Sequence, residues 1–222
     1  MGHDALRPVS NTCQDDLGGY GAFAFDALSV AIVFEKDSIV QQILTHIGTV
    51  DWSVIRGGTN ISLVEVTNRH LASMLSAYDL LNGPFAHIAP EQALLDGLYT
   101  HMVELGAVLT GGFNTPSGIP RNLIDPTFRT FDTAHYNTIA GAGSLILEYA
   151  HLSDITGHDI YVRLARRTEE YLLDPMPARY EPWPGFLGMN VRIDNGQLND
   201  RKGSWGAKSD CTCASILSDL TE

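Results

Sequence analysis

Apolar residues recur at intervals of three and four along most of this chain, and that spacing constrains its fold more than any other feature. The pattern is clearest over residues 62–81, where it predicts an amphipathic helix that ends at Asn82-Gly83-Pro84. Its apolar stripe consists of Val64, Leu71, Leu75, Tyr78 and Leu81. A stripe of this kind requires an apolar surface to pack against, so packed helices are the expected core.

The same spacing predicts four further helices, over residues 26–47, 90–109, 138–155 and 161–173, the first broken near residues 36–38. Pro90 is expected at the first helical position, and Gly157 at the end of the helix over 138–155. Residues 113–132 contain several Pro and Gly and predict an ordered loop, whereas residues 191–193 predict a short strand. The predicted class is therefore all-α, as a bundle or a toroid of helical hairpins.

The balance of charge excludes some classes of partner. Fourteen basic residues against 26 acidic ones give a net charge of −12, which argues against nucleic acid and against an anionic membrane surface. A neutral ligand such as a sugar is compatible with this charge but not implied by it. The sequence contains no apolar run long enough to span a bilayer, and its start does not resemble a signal peptide.

Few motifs point to common catalytic or metal sites. Cys13, Cys211 and Cys213 are interpreted as incidental thiols, with a disulfide from Cys13 to the C-terminal pair as the alternative. The histidines lack metal-ligand spacing, and no phosphate-binding loop or serine-hydrolase elbow is present. Asn60-Ile61-Ser62 is an N-glycosylation sequon, relevant only in the secretory pathway.

Glu65 and Arg69 are the first candidate site residues, because a spacing of four places them on one helix face. Ala72 and Ser76 continue that face and leave room for a ligand above it. Spacing alone favours a simpler interpretation, in which Ser62 and Glu65 form a capping box and Glu65 and Arg69 a surface ion pair.

Glu148 is the third candidate, because it lies within the apolar run Leu145-Ile146-Leu147-Glu148-Tyr149. A carboxylate buried there would need a partner or a proton, but a position facing solvent explains it equally well. His3 and Asp4 are expected at the surface.

Several segments, in order along the chain, resemble glycoside hydrolase family 47, the class I α-1,2-mannosidases. The matching segments are Gly2-His3-Asp4, Gly19-Tyr20-Gly21-Ala22, Asp26-Ala27-Leu28, Ser62-Leu63-Val64-Glu65, Met74-Leu75-Ser76-Ala77-Tyr78-Asp79-Leu80-Leu81, Phe113-Asn114-Thr115-Pro116-Ser117-Gly118-Ile119-Pro120, Ala140-Gly141-Ala142-Gly143-Ser144, Glu181-Pro182-Trp183-Pro184-Gly185 and Gly203-Ser204-Trp205-Gly206. The last two look most similar to secreted fungal members.

The resemblance implies an (α/α)7 barrel and inverting hydrolysis of terminal α-1,2-linked mannose from oligomannose N-glycans, assisted by Ca²⁺. Glu65 matches the acid that protonates the leaving group, while Arg69 and Glu148 match substrate-site residues. Complete members of the family are expected in the secretory pathway or secreted. The resemblance says nothing about oligomeric state.

The resemblance covers only the first half of the family domain. Residues 1–210 are expected to form that half, and residues 211–222 a tail unlike the family. The second catalytic aspartate, the base glutamate and the threonine that binds Ca²⁺ lie in later family segments, so no metal ligand is assigned here and the chain alone is expected to be inactive. Val64 replaces a family Phe, and Gly141 stands where many members carry Glu. The alternative function is a non-catalytic glycan-binding or glycoprotein-degradation factor.

Overall fold

The computed structural model describes residues 2–58, 60–88, 91–181, 183, 186–206 and 208–209, and within these residues the chain is mainly helical. A π-helical turn, Thr67–Leu71, joins the third helix to the fourth. The helices are α1 Ala22–Val33, α2 Asp37–Ile47, α3 Leu63–Val66, α4 Ala72–Asn82, α5 Gln92–Thr110, α6 Ile139–Gly143, α7 Ile146–Thr156 and α8 Ile160–Leu173. Short 3₁₀ helices cover Ala86–Ile88, Gly111–Phe113 and Ala178–Tyr180.

Short strands of two or three residues accompany the helices. They are β1 Ala5–Arg7, β2 Thr12–Gln14, β3 Ile61–Ser62, β4 Leu123–Asp125, β5 Thr130–Phe131, β6 Tyr136–Thr138 and β7 Asn190–Arg192. β1 pairs with β2 and β6 with β7, both antiparallel. The predicted strand over residues 191–193 is confirmed as β7, whereas the other strands were missed because such short segments show no alternation.

Most predicted helix ends agree with the structure to within a few residues. The break near residues 36–38 is confirmed, because α1 ends at Val33 and α2 begins at Asp37. The segment over 138–155 is two helices instead of one, separated at Ser144 and Leu145. Gly157 ends α7 in the left-handed conformation (φ 70°), as predicted. Pro90 lies outside the described residues.

The chain divides into two compact units, each with its own apolar core. The first comprises Met1–Leu109 and Asp125–Thr130, the second Thr110–Ile124 and Phe131–Glu222. In the first unit α1 packs against both α2 and α4. The core cluster of the second unit is Ile119, Ile139, Ala142, Leu172, Leu187, Val191, Ile193 and Leu198.

A buried carboxylate holds the N-terminus of α1 in place. The carboxylate of Asp4 accepts four backbone N–H groups, from Leu17 at 2.7 Å, Gly19 at 2.8 Å, Gly21 at 3.0 Å and Ala22 at 3.1 Å. The surface position expected for Asp4 is therefore wrong, since a carboxylate can be buried when its lone pairs are satisfied. The bonds from Gly21 and Ala22 satisfy N–H groups at the N-terminus of α1, which begins at Ala22 rather than at the predicted residue 26.

An aromatic cluster lies at the centre of the first unit. His70 is fully buried, with ring centroids 4.7 Å from Phe25, 5.8 Å from Tyr20 and 5.9 Å from Trp52. Neither ring nitrogen of His70 has a hydrogen-bond partner among the described residues. Burial lowers the pKa of His70 to about 4, so its imidazole is neutral at pH 7.

In the part of the chain that the structure describes, no helix combines the length and the apolarity needed to cross a membrane.

Candidate functional site

Glu65 lies in the first turn of α3, where local sequence fixes its direction. Ser62 precedes the helix in an extended conformation, and its Oγ accepts the backbone N–H of Glu65 at 3.4 Å. Leu63 and Val66 are fully buried on the core side. Because those neighbours occupy the core face, the Glu65 side chain is directed outward and is 47% exposed. The N-cap half of the predicted capping box is therefore confirmed.

Arg69 connects Glu65 to a second carboxylate. Its Nε donates to Glu65 Oε2 at 3.0 Å, as the spacing of four predicts, and its Nη1 donates to Asp26 Oδ2 at 2.8 Å. The side chains of Arg69 and Asp26 are both 44% exposed. We call Glu65, Arg69 and Asp26 the acidic trio; it carries one net negative charge and is open to solvent.

Electrostatics keeps Arg69 charged. Its partial burial alone would lower the pKa, but the hydrogen bond to Glu65 and the negative charge of Asp26 outweigh that effect and raise the pKa of Arg69. Exposed ion pairs of this type stabilise a fold by only about 0–1 kcal/mol each. The trio therefore contributes little to stability, and its two carboxylates remain accessible to a ligand.

Asp26 is the member of the trio that sequence reasoning missed as a site residue. It lies on α1, 43 residues before Arg69, and no local spacing relates positions on different helices. The sequence indicates Asp26 only through the Asp26-Ala27-Leu28 segment, which resembles the family but does not identify Asp26 as a site residue.

The small residues beside the trio take part in helix packing. Ser29 on α1 donates its hydroxyl to Ser76 Oγ on α4 at 3.0 Å. Both serines are partly buried, as is Ala72. Small side chains at these positions allow α1 and α4 to approach closely. The small size of Ser76 is therefore explained by helix packing and does not require a ligand space above it.

Glu148 lies in the second unit, in the first turn of α7. It is half-buried between exposed Leu147 and fully buried Tyr149, so the solvent-facing interpretation is only partly right. Its Oε2 is buried and has no hydrogen-bond partner among the described residues. Burial raises the pKa of Glu148. Since buried oxygens normally have a donor, this atom is an acceptor suited to a ligand hydroxyl.

The described residues do not bring together three or more His, Cys, Asp or Glu side chains in a group that could hold a metal ion. A Ca²⁺ site cannot be assigned to them on this basis. Cys13 is exposed on β2, whereas Cys211, Cys213 and the rest of the predicted tail, residues 211–222, lie outside the described residues.

Comparisons with known proteins converge on one family. The sequence model described as glycosyl hydrolase family 47 matches residues 1–216. A probable mannosyl-oligosaccharide α-1,2-mannosidase 1B from Aspergillus niger is 44% identical over 208 residues, covering 94% of this chain and 40% of that protein. A mannosyl-oligosaccharide α-1,2-mannosidase 1B from Emericella nidulans is 45% identical, covering 94% of this chain and 41% of that protein.

The fold agrees with the sequence matches. An α-1,2-mannosidase from Trichoderma reesei superposes with a TM-score of 0.91 at 37% identity, over 95% of this chain and 44% of that chain. The predicted fold class, all-α and part of an (α/α)7 barrel, is thereby confirmed. The chain spans about two fifths of the length of the curated relatives that it matches.

Proposed function

Since the chain belongs to glycosyl hydrolase family 47, we propose that it supplies part of the catalytic site of an α-1,2-mannosidase. The reaction removes terminal α-1,2-linked mannose from oligomannose N-glycans with inversion at the anomeric carbon. The Aspergillus niger and Emericella nidulans relatives carry the name mannosyl-oligosaccharide α-1,2-mannosidase, which supports this substrate class and not a non-catalytic factor. An N-glycan substrate places the proposed activity in the secretory pathway.

The acidic trio is the observation that carries the proposal. An inverting glycosidase uses one carboxylic acid to protonate the leaving oxygen and one carboxylate to activate water, about 6.5–9.5 Å apart. Glu65 is proposed as the acid, which donates its proton from the protonated form, and the base that accepts the proton of the attacking water is expected in a later segment of the family domain. Arg69 engages one oxygen of the Glu65 carboxyl group, which fixes its orientation and leaves the second oxygen for the glycosidic oxygen.

Two further residues are proposed to contact the substrate. Arg69 has more N–H groups than its bonds to Glu65 and Asp26 use, so it can also donate to sugar hydroxyls. Glu148 presents a buried acceptor oxygen without a donor, and a sugar hydroxyl would satisfy it. Their roles are positioning and binding, whereas Glu65 transfers the proton.

Only the resemblance to the family connects Ca²⁺ with the proposed reaction. The resemblance implies a Ca²⁺-assisted reaction, but the described residues do not offer a matching ligand group, so no step is assigned to the ion. The proposed domain boundary at residue 210 also stays a prediction, because the described residues end at 209 and the family match runs to 216.

A chimera tests the assignment of Glu65. Residues 2–209 replace the corresponding region of the Aspergillus niger relative, and mannose release from an α-1,2-linked oligomannose is followed by proton NMR. We expect β-mannose as the first product. Glu65→Gln should lower kcat by about 10²–10⁴-fold, the contribution typical of a general acid.

Glu91→Gln is the matched control, because Glu91 is an exposed carboxylate outside the trio, and it should leave kcat unchanged. An active chimera in which Glu65→Gln retains the parent kcat would overturn the role of Glu65. The 222-residue chain assayed alone, in parallel, tests the expectation that it is inactive by itself.

A further inference from the structure

A polar groove lies between α4 and α5, in the first unit. It has a volume of about 320 Å³ and is lined by Tyr78 and Asn82 from α4 and by Gln92, Leu95, Asp96 and Tyr99 from α5. Neither the acidic trio nor Glu148 is among its lining residues. Tyr78 follows Glu65 by 13 positions, which corresponds to about 20 Å along a helix at 1.5 Å per residue.

Two tyrosines supply aromatic surface in the groove. The rings of Tyr78 and Tyr99 lie 5.9 Å apart between centroids with an interplanar angle of 45°, and both side chains are half-buried. Leu95, which also lines the groove, is buried. Aromatic rings with a polar hydroxyl favour ligands that are apolar on one face and polar at the edge, as a pyranose ring is.

Side-chain amides and one carboxylate surround the two rings. Asn82 Nδ2 donates to the carbonyl oxygen of Tyr78 at 2.8 Å, and Gln92 Nε2 donates to Asp96 Oδ1 at 2.9 Å. These bonds fix both amides and leave their carbonyl oxygens, together with Asp96 Oδ2, as acceptors. Asn82, Gln92 and Asp96 are exposed, so the acceptors can reach a ligand.

The charge of the lining selects against anions. Asp96 is the only charged residue among the described lining residues, and no Lys, Arg or His stands with it. A phosphate or carboxylate ligand would therefore lack a counter-charge. Several acceptors beside aromatic faces instead match a neutral molecule that carries many hydroxyl donors.

From these features we infer that the groove is a second saccharide-binding site, which takes one or two neutral pyranose residues apart from the acidic trio. The choice of saccharide rests on the proposed function, because the substrate there is a branched oligomannose. Binding one branch in the groove would raise the effective concentration of another branch near Glu65.

Calorimetric titration of the 222-residue chain with α-1,2-mannobiose tests the inference. Tyr99→Ala removes one ring and should weaken binding at least tenfold, whereas Tyr99→Phe retains the ring and should stay within about twofold of the parent. Asp96→Asn should also weaken binding, and its matched control Glu91→Gln should not. Circular dichroism tests whether each variant keeps its helices. If Tyr99→Ala loses them, Asn82→Ala is used instead, because Asn82 is exposed.

Arg69→Ala separates the groove from the proposed catalytic site. This variant should still bind mannobiose in the groove. Loss of the proposed mannosidase activity and loss of saccharide binding in the groove can therefore be told apart. The inference is overturned if the folded parent chain does not bind 20 mM mannobiose, or if Arg69→Ala abolishes binding while the groove variants bind normally. Displacement of mannobiose by equimolar tetramethylammonium would also overturn it, since that result identifies a cation site.

Discussion

Asp4 and His70 are both buried polar side chains of the first unit, but only Asp4 has hydrogen-bond partners for its polar atoms among the described residues. Asp4 accepts four backbone N–H groups, so its carboxylate is buried without an unmet acceptor. His70 is packed among aromatic rings with both ring nitrogens unpaired within the described residues. An imidazole in such surroundings is tolerated only in its neutral form, which makes the stability of the fold sensitive to pH.

His70 should therefore destabilise the fold in acid. Its pKa is about 4 in the folded chain against 6.5 for the free side chain, so between these values the unfolded state binds a proton that the folded state does not. The free energy of unfolding should fall by up to about 3 kcal/mol as pH drops from 7 to 4. His70→Phe removes this contribution, and urea unfolding at pH 7 and 4.5 measures the difference.

His87→Gln is the control, because His87 is an exposed histidine. This variant keeps His70, so it should keep the loss of stability that His70 causes between pH 7 and pH 4.5. An identical pH dependence for the parent and His70→Phe would contradict the prediction.

The contribution of Glu148 to stability should depend on pH in the opposite direction to that of His70. Burial raises its pKa in the folded chain above 4.5, so its neutral form contributes stability that is present below pH 4.5 and lost as pH rises through the folded value. Glu148→Gln mimics the neutral acid, and we expect a higher Tm than the parent at pH 7 but not at pH 4. Glu170→Gln, an exposed carboxylate of the same unit, should change Tm at neither pH. A lower Tm for Glu148→Gln at pH 7 would exclude this account.

At the scale of elements, local signals decide where helices begin and end. Thr138 precedes α6 in an extended conformation, and its Oγ1 accepts the N–H of Gly141 at 3.0 Å. α6 has only five residues, so one cap satisfies a large share of its free N–H groups.

Thr138→Ala should lower the free energy of unfolding by about 1 kcal/mol, the usual cost of a lost N-cap. Thr138→Ser keeps the hydroxyl and should remain within a few tenths of a kcal/mol of the parent. Urea unfolding monitored by circular dichroism measures both variants. Equal stabilities for the Ala and Ser variants would show that the hydroxyl does not act as a cap.

Sequence patterns could predict the helices, and the pairing of Glu65 with Arg69, because both depend on residues three or four positions apart. They could not predict Asp26 in the acidic trio, since its contact with Arg69 depends on the packing of α1. The π-helical turn at Thr67–Leu71 was also missed, because one widened turn does not alter the apolar stripe on either side. The burial of Glu148 depends in the same way on tertiary packing.

At the scale of the whole chain, net charge and exposed apolar surface have opposite effects on self-association. A net charge of −12 keeps copies of the chain apart. Phe23, Val30 and Phe34 are 71%, 58% and 67% exposed, and their spacing places them along one side of α1. Exposed apolar side chains arranged in a stripe of this kind promote association between molecules.

Replacing the stripe should reduce that association. The variant Phe23→Ser, Val30→Ser and Phe34→Ser should give a larger monomer fraction than the parent in sedimentation velocity, with helix content retained. The difference should be largest at high salt, where screening weakens charge repulsion. Leu147→Ser removes one exposed apolar side chain from α7 and should have a smaller effect. An unchanged monomer fraction in the triple variant would show that the stripe does not drive association.

The anchoring of α1 by Asp4 has a practical consequence for handling the protein. Four amides between Leu17 and Ala22 depend on one side chain that lies 13 to 18 positions before them. A protease that cut between Asp4 and Leu17 would separate those amides from their acceptor along the chain and loosen the start of α1. Preparations nicked in this segment would then mix intact and weakened molecules, so mass spectrometry should precede any comparison of activity between batches.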